Sequence, residues 1–203
     1  MSAGVLRRYI VLMIALIVVM MLGTHAFDSL TARAPGDLDT ELGVQRLEDG
    51  KHDEALDHFA KALAEQPDHR GALMGRALVF IQAERYEDAI AELTYLIDFL
   101  NRTLTPDDST GRGVLAAAFA NRGIVFDRTA QYERAFEDYV AALRTDEGAV
   151  DEPGVIHKVL YGIPNPSSVR KRAAYLQRQL KLPPEQRLMR VPELDAKQRM
   201  RKP

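Results

Sequence analysis

The sequence predicts an all-α chain in which a single N-terminal transmembrane helix precedes an α-solenoid of three helix pairs, C-terminal capping helices and an extended basic tail. Three observations carry this expectation. Residues 9–22 contain no charged side chain. A pattern of small and large apolar residues returns after 34 residues and then after a further 46. Charge is also split along the chain, with 26 acidic and 14 basic residues at 28–165 but 3 acidic and 11 basic at 166–203.

The apolar character of the first segment continues weakly through Gly23, Thr24, His25, Ala26 and Phe27 until Asp28. Residues 9–27, at 1.5 Å rise per residue, span about 28 Å, close to a hydrocarbon core of roughly 30 Å. Arg7 and Arg8 precede the run, whereas Asp28 and Asp37 follow it with only Arg33 between them. The positive-inside bias therefore puts residues 1–8 in the cytoplasm and the body outside, in the periplasm of a Gram-negative cell. The expected location is a bacterial inner membrane, crossed once. A cleaved secretory signal is the rival, with Thr24-His25-Ala26 as a small-x-small cleavage site. The run is longer than the usual signal core of about 7–15 residues, which favours the anchor. Residues 28–35 form a linker.

With 203 residues, 46% hydrophobic and 28% charged, the chain holds one core and an appendage. The absence of cysteine excludes disulfides, thiolate metal sites, cysteine nucleophiles and an acylated-cysteine anchor. The net charge of −2 conceals an acidic body and a basic tail, which calls for contact with the body itself or with a separate acidic partner.

The first repeat copy is marked by Leu42-Gly43, Ala55, Phe59, Ala62 and Pro67. Small Gly43 and Ala55 allow two helices to approach, Phe59 fills the space between hairpins, and Pro67 ends the second helix. The second copy has Ala77, Ala89, Leu93 and Leu96 at matching positions, and the third has Arg122-Gly123, Phe126, Ala135, Tyr139 and Ala142. The longer second spacing implies about 12 inserted residues. Residues 102–113 are the candidate insert, since Pro106, Asp107, Asp108, Ser109, Gly111 and Gly113 give them loop composition. They either lengthen the connection or partly extend the next helix.

This pattern resembles the tetratricopeptide-repeat family, in a membrane-anchored bacterial form, over residues 36–149, divided as 36–69, 70–101, the insert 102–113, and 114–149. The resemblance implies stacked antiparallel helix pairs in a right-handed superhelix whose concave face binds peptides or protein surfaces. Three pairs are about the minimum for a stable array. On the first helices, Gln45, Arg76, Phe80, Asn121 and Arg122 are the candidate groove residues. Arg76 and Arg122 share a repeat position and have an alternative role as braces between helices. Some family members clamp a peptide carboxylate with lysine, asparagine and arginine. Asn121 sits at a comparable position, but Thr40, Val44, Gly71 and Gly75 do not supply the rest.

Residues 150–182 are expected to cap the array with two helices, 153–161 and 167–182, broken by Gly162, Pro164 and Pro166. In the second, Val169, Ala173, Leu176 and Leu180 form an apolar stripe, with Arg170, Lys171, Arg172, Arg178 and Lys181 on a solvated outer face. A basic helix of this kind also suits anionic lipid or an acidic partner. Residues 183–203, rich in proline and poor in apolar residues, read as an extended tail that orders against something. Its candidate contacts, with those of the preceding helix, are Arg170, Arg172, Arg178, Arg187, Leu188, Met189, Arg190 and Leu194.

No pattern in the chain carries catalysis. His25, His52, His58, His69 and His157 include no i, i+4 pair of the zinc-protease kind. The carboxylates Asp53, Glu54, Asp57, Glu87, Asp88 and Glu92 fall between apolar anchors and mark solvated helix faces. Gly111-Arg112-Gly113-Val114-Leu115-Ala116 fits G-x-G-x-x-A but follows no strand, so the dinucleotide reading fails. Asn101-Arg102-Thr103 matches the glycosylation sequon at a helix end, without further support. The expectation is a non-enzymatic scaffold or accessory subunit of a membrane protein complex, with a protein partner, no cofactor or metal, and no nucleic-acid or small-molecule ligand. A periplasmic chaperone-like or translocon-associated module is the alternative.

Overall fold

The computed structural model of the protein describes residues 10–22, 33–150 and 169–191. The chain divides into two compact units, Met1–Pro35 and Gly36–Pro203. In the first, residues 10–22 form a helix, α1, whose side chains are all exposed. Among the described residues no helix is long and apolar enough to cross a membrane. Residues 9 and 23–27 of the expected span lie outside them.

The second unit contains α2 (Asp37–Glu48), α3 (His52–Glu65), α4 (Arg70–Gln82), α5 (Tyr86–Thr103), α6 (Ser109–Arg128), α7 (Tyr132–Thr145), the short α8 (Glu147–Val150) and α9 (Val169–Leu180), followed by a 3-10 turn at Pro184–Gln186. Helices α2 and α3, α4 and α5, and α6 and α7 pack as successive pairs. The expected helix over residues 153–161 lies outside the described residues.

The repeat is written in the turns as well as in the core. Gly50, Glu84 and Ala130 occupy the same position in the three within-pair turns, and all three have left-handed φ, +73°, +57° and +61°. In each turn the next amide bonds back five residues: Lys51 to the Arg46 carbonyl, Arg85 to that of Phe80, and Gln131 to that of Phe126. This is a Schellman closure, which satisfies carbonyls left open at a helix end. Only the first turn uses glycine, the residue that adopts this conformation without a Cβ penalty.

Between helices, small residues receive rings. A Cβ built on Gly43 would lie 2.6 Å from the Phe59 ring, and one on Gly75 would lie 2.3 Å from it. Phe59 is fully buried between the first helices of two successive pairs. Gly123 repeats the device, its notional Cβ falling 2.9 Å from Tyr139. At the array's start Gly36 has φ +84°, and its notional Cβ would meet the Ala62 carbonyl oxygen at 2.8 Å. Its amide donates to Glu65 at 2.8 Å, so glycine is required twice over at this entry to α2.

The insert differs from its loop-like composition. Arg102 and Thr103 complete α5, residues 109–113 open α6, and only residues 104–108 connect them. Compared with α3 and α4, α5 is four residues longer and α6 seven longer, so nearly all the added chain becomes helix. Asp108 makes this possible by capping α6, its carboxylate accepting from the Gly111 amide at 2.7 Å. The same carboxylate receives Arg70 of α4 at 2.6 Å. Gly111 is admitted by close approach, with Arg70 and Asp108 where a side chain would stand.

Candidate protein-interaction surfaces

The first helices after α2 offer little open face. No residue at 70–81 or at 111–128 is exposed. Asn121 is fully buried, and its side-chain amide points at Met74 Sδ, 3.3 Å away. Arg76 makes a bidentate pair with Glu92 of α5 at 3.0 and 2.9 Å. Arg122 does the same with Asp138 of α7 at 2.8 and 2.9 Å and also donates to Thr94 of α5 at 3.0 Å. Both arginines tie the first helix of a pair to the second, and Arg122 adds the neighbouring pair. In the first pair His58 and Asp39, 2.8 Å apart, join α3 to α2. Of the five groove candidates, only Gln45 is exposed.

Phe80, half-buried, borders a cleft of about 520 Å³. The cleft lies where the turn before α3 meets the end of α4, with Leu56, Val79 and Phe80 as apolar lining and Lys51, His52 and Arg85 among its polar lining. Arg85 stacks on the Phe80 ring, 4.5 Å from its centroid, and is held by Asp88 at 2.8 Å. Arginine over an aromatic face gives a cation–π contact and keeps the ring partly covered. The cleft can hold an apolar side chain between charged edges.

The outer faces of the second helices are acidic. Asp53, Glu54 and Asp57 on α3, Glu87, Asp88 and Asp98 on α5, and Glu133 and Glu137 on α7 are all exposed. Among the described residues no cluster of histidines and carboxylates is arranged to hold a metal ion. The perturbed groups belong to the packing. Burial raises the Glu92 carboxyl, against the pull of Arg76. The Gly111 amide, and then Arg70, hold the Asp108 carboxyl low. Burial, then the neighbouring Asp127 charge, pushes the Tyr139 phenol well above its ordinary value. His69 accepts from Ala72 through Nδ1 at 3.2 Å as the cap of α4, so its Nε2 carries the hydrogen given to Asp37 at 2.9 Å.

At the C-terminal end the basic residues divide. Arg172, expected on the solvated outer face, is instead buried and makes a bidentate pair with Asp127 of α6, 2.7 Å on each arm. The Tyr139 hydroxyl donates to the same carboxylate at 3.2 Å. Arg172 also reaches the Met189 carbonyl at 2.9 Å. Arg187 bonds the Leu182 and Leu180 carbonyls at 2.9 and 3.2 Å, closing the end of α9, and Arg190 bonds the Arg128 carbonyl at the end of α6 at 2.7 Å. Met189 packs against the apolar cluster around α6, α7 and α9. Residues 187–190 thus lie as a strap on their own domain. Arg170 pairs with Glu147, and Arg178 and Leu188 remain exposed. Leu194 lies outside the described residues.

Asp127 and the three turn positions are absent from the sequence-based expectations. A lone acid at the end of the apolar stretch Gly123–Phe126 was the available signal for the first. A family model described as tetratricopeptide repeat matches residues 40–108. The chain is similar to the solved first tetratricopeptide-repeat domain of Spaghetti (RPAP3) bound to the HSP90 peptide SRMEEVD, at 19% identity over 56% of this chain and 81% of that one, with a TM-score of 0.46. It is also similar to the NMR structure of the first such domain of human RPAP3, at 21% identity over 56% and 80%, with a TM-score of 0.47. No curated protein matches the chain.

Proposed function

With tetratricopeptide repeats as the premise for its helical body, we propose that the chain is a non-enzymatic scaffold or accessory subunit that binds and helps assemble or stabilise a membrane protein complex. In this reading residues 9–27 hold it in a bacterial inner membrane and the repeat domain works on the periplasmic side. The observation that carries the binding role is the cleft at Phe80, where Leu56, Val79 and Phe80 meet the polar and charged side chains of Lys51, His52, Asp53, Glu54 and Arg85. A concave surface that offers an aromatic and aliphatic contact beside placed polar groups gives a partner side chain both burial and orientation. The uncharged run at residues 9–22 supports the membrane part of the reading.

Purification from native membranes in mild detergent tests the proposal. Stoichiometric integral-membrane partners are expected to accompany the chain, and to be lost from a Lys51→Glu, Phe80→Ala variant that keeps its helical content. A chain that elutes alone at every detergent strength overturns it. Crosslinking to many unfolded exported proteins, in place of one fixed set, would instead mark a chaperone. N-terminal sequencing of the mature protein separates anchor from cleaved signal.

A further inference from the structure

We infer that the outer face of α9, together with the strap behind it, is a docking surface for anionic lipid headgroups. Lys171, Ala174 and Arg178 recur at i, i+3 and i+7, which sets them along one side of the helix, and Lys181 follows directly after its last residue. Arg170 stands on the same outer side, and α9 contains no acidic residue. Arg178 and Lys181 are exposed and have no hydrogen-bond or ion-pair partner among the described residues. This sets them apart from Arg172, Arg187 and Arg190, whose guanidinium groups bind acids or carbonyls of the same domain.

Beside these cations the strap presents a leucine. Leu188 is 63% exposed, yet its backbone is fixed on both sides. Its amide donates to Gln179 at 2.8 Å, and the Tyr175 hydroxyl donates to its carbonyl. Tyr175 and Gln179 lie on the flank of α9 next to the Lys171–Arg178 row, so the leucine is held alongside the charges. Leu182, just beyond α9, is also exposed. Among the described residues, Glu147 faces Arg170, Glu133 lies 3.7 Å from Arg187, and Glu185 is in the 3-10 turn.

A row of cations beside a firmly held leucine matches a bilayer interface, where basic side chains meet headgroup phosphates and Leu188 enters the acyl boundary. The acidic outer faces of α3, α5 and α7 would be repelled by the same surface, so charge selects α9 as the side that approaches it. The inference rests on the membrane reading only for the presence of a bilayer. Recognition comes from the chemistry of the face.

Because the chain has no cysteine, a Leu188→Cys variant of the full chain carries one environment-sensitive dye at a known place. Vesicles of phosphatidylcholine alone, or with about one-third phosphatidylglycerol, supply the two surfaces. A blue shift and quenching by a lipid-attached quencher are expected only on the anionic vesicles, and both weaken as salt is raised. Arg178→Gln with Lys181→Gln, two exposed changes that should leave the melting curve in place, is expected to weaken the dye's partitioning roughly 25-fold, about fivefold per cation. Identical spectra on both vesicles overturn the inference, as does a shift that survives the double substitution or requires an added acidic protein. Flotation of the same samples reads the anchor separately. Flotation on both vesicle types with a silent dye removes this inference alone, whereas flotation and shift confined to anionic vesicles remove the anchor and keep the lipid-binding face.

Discussion

Phe59 and Tyr139 hold the same repeat position near opposite ends of the array, and they are buried in different ways. Phe59 is enclosed by Gly43 and Gly75, first-helix residues of successive pairs, so a bare ring suffices. Tyr139 has Gly123 on one side, and its helix α7 packs against α9. There the ring carries a hydroxyl that reaches Asp127, and Asp127 is neutralised by Arg172 from α9. The junction at Phe59 is closed by shape, whereas the junction at Tyr139 adds a buried ion pair between α6 and α9. The same contrast holds in the turns, where the first end has Gly50 and the last has Ala130 at left-handed φ.

The largest test removes the shape. Phe59→Ala should cost about 3–5 kcal/mol in denaturant unfolding, because the glycines around the ring have no side chains with which to fill the space. A loss below about 1 kcal/mol would show that the helices close over the gap. At the other end, Arg172→Met leaves a buried carboxylate without its guanidinium and should cost about 3 kcal/mol or more, while adding Asp127→Leu should restore most of it. If the double variant is as unstable as the single one, the junction depends on more than mutual neutralisation.

Exchanging the rings sharpens the comparison further. Phe59→Tyr buries a hydroxyl with no prepared acceptor and should cost about 1–3 kcal/mol, whereas Tyr139→Phe should cost about 1 kcal/mol. The phenol also predicts a pH dependence confined to one end. Its folded value is raised, so its contribution is fully present below the unfolded value near 10 and is lost as pH rises toward the folded value. Stability of the native chain should therefore fall with pH above about 10 more steeply than that of Tyr139→Phe, as read by chemical unfolding at each pH. The smallest effect lies in the turns. Ala130→Gly should stabilise by about 0.5–1 kcal/mol by relieving left-handed strain, and Gly50→Ala should destabilise by a similar amount.

Much of the first junction was readable because its logic is local and repeated. A glycine and a ring at fixed spacing, recurring in register, announce close helices and a filled space between them. The last junction was harder because Arg172 meets Asp127 across 45 residues of chain, and no periodicity links the two. Taken alone, an arginine among Arg170, Lys171 and Arg178 looks like part of a solvated face. Residues 102–113 left two readings open for a related reason: Pro106, Gly111 and Gly113 are helix-poor on local propensity, but the Asp108 cap and the contact with Arg70 outweigh that preference and part of the insert extends the next helix. The cleft at Phe80 was only half visible, since Phe80 came from the repeat register while Leu56 and Arg85 join it through packing.

The extra length of α5 and α6 also bears on how the chain finds its fold. Modules that resemble one another risk pairing with the wrong neighbour during synthesis, a characteristic failure of repeat proteins. Here the middle second helix and the last first helix share added turns that the other helices lack, and the Arg70–Asp108 bond fixes α4 against that lengthened pair of ends. A slip by one module would leave those turns facing a shorter helix and strand Asp108 away from Arg70. The unequal lengths act as a key that distinguishes the correct order of assembly from its near copies.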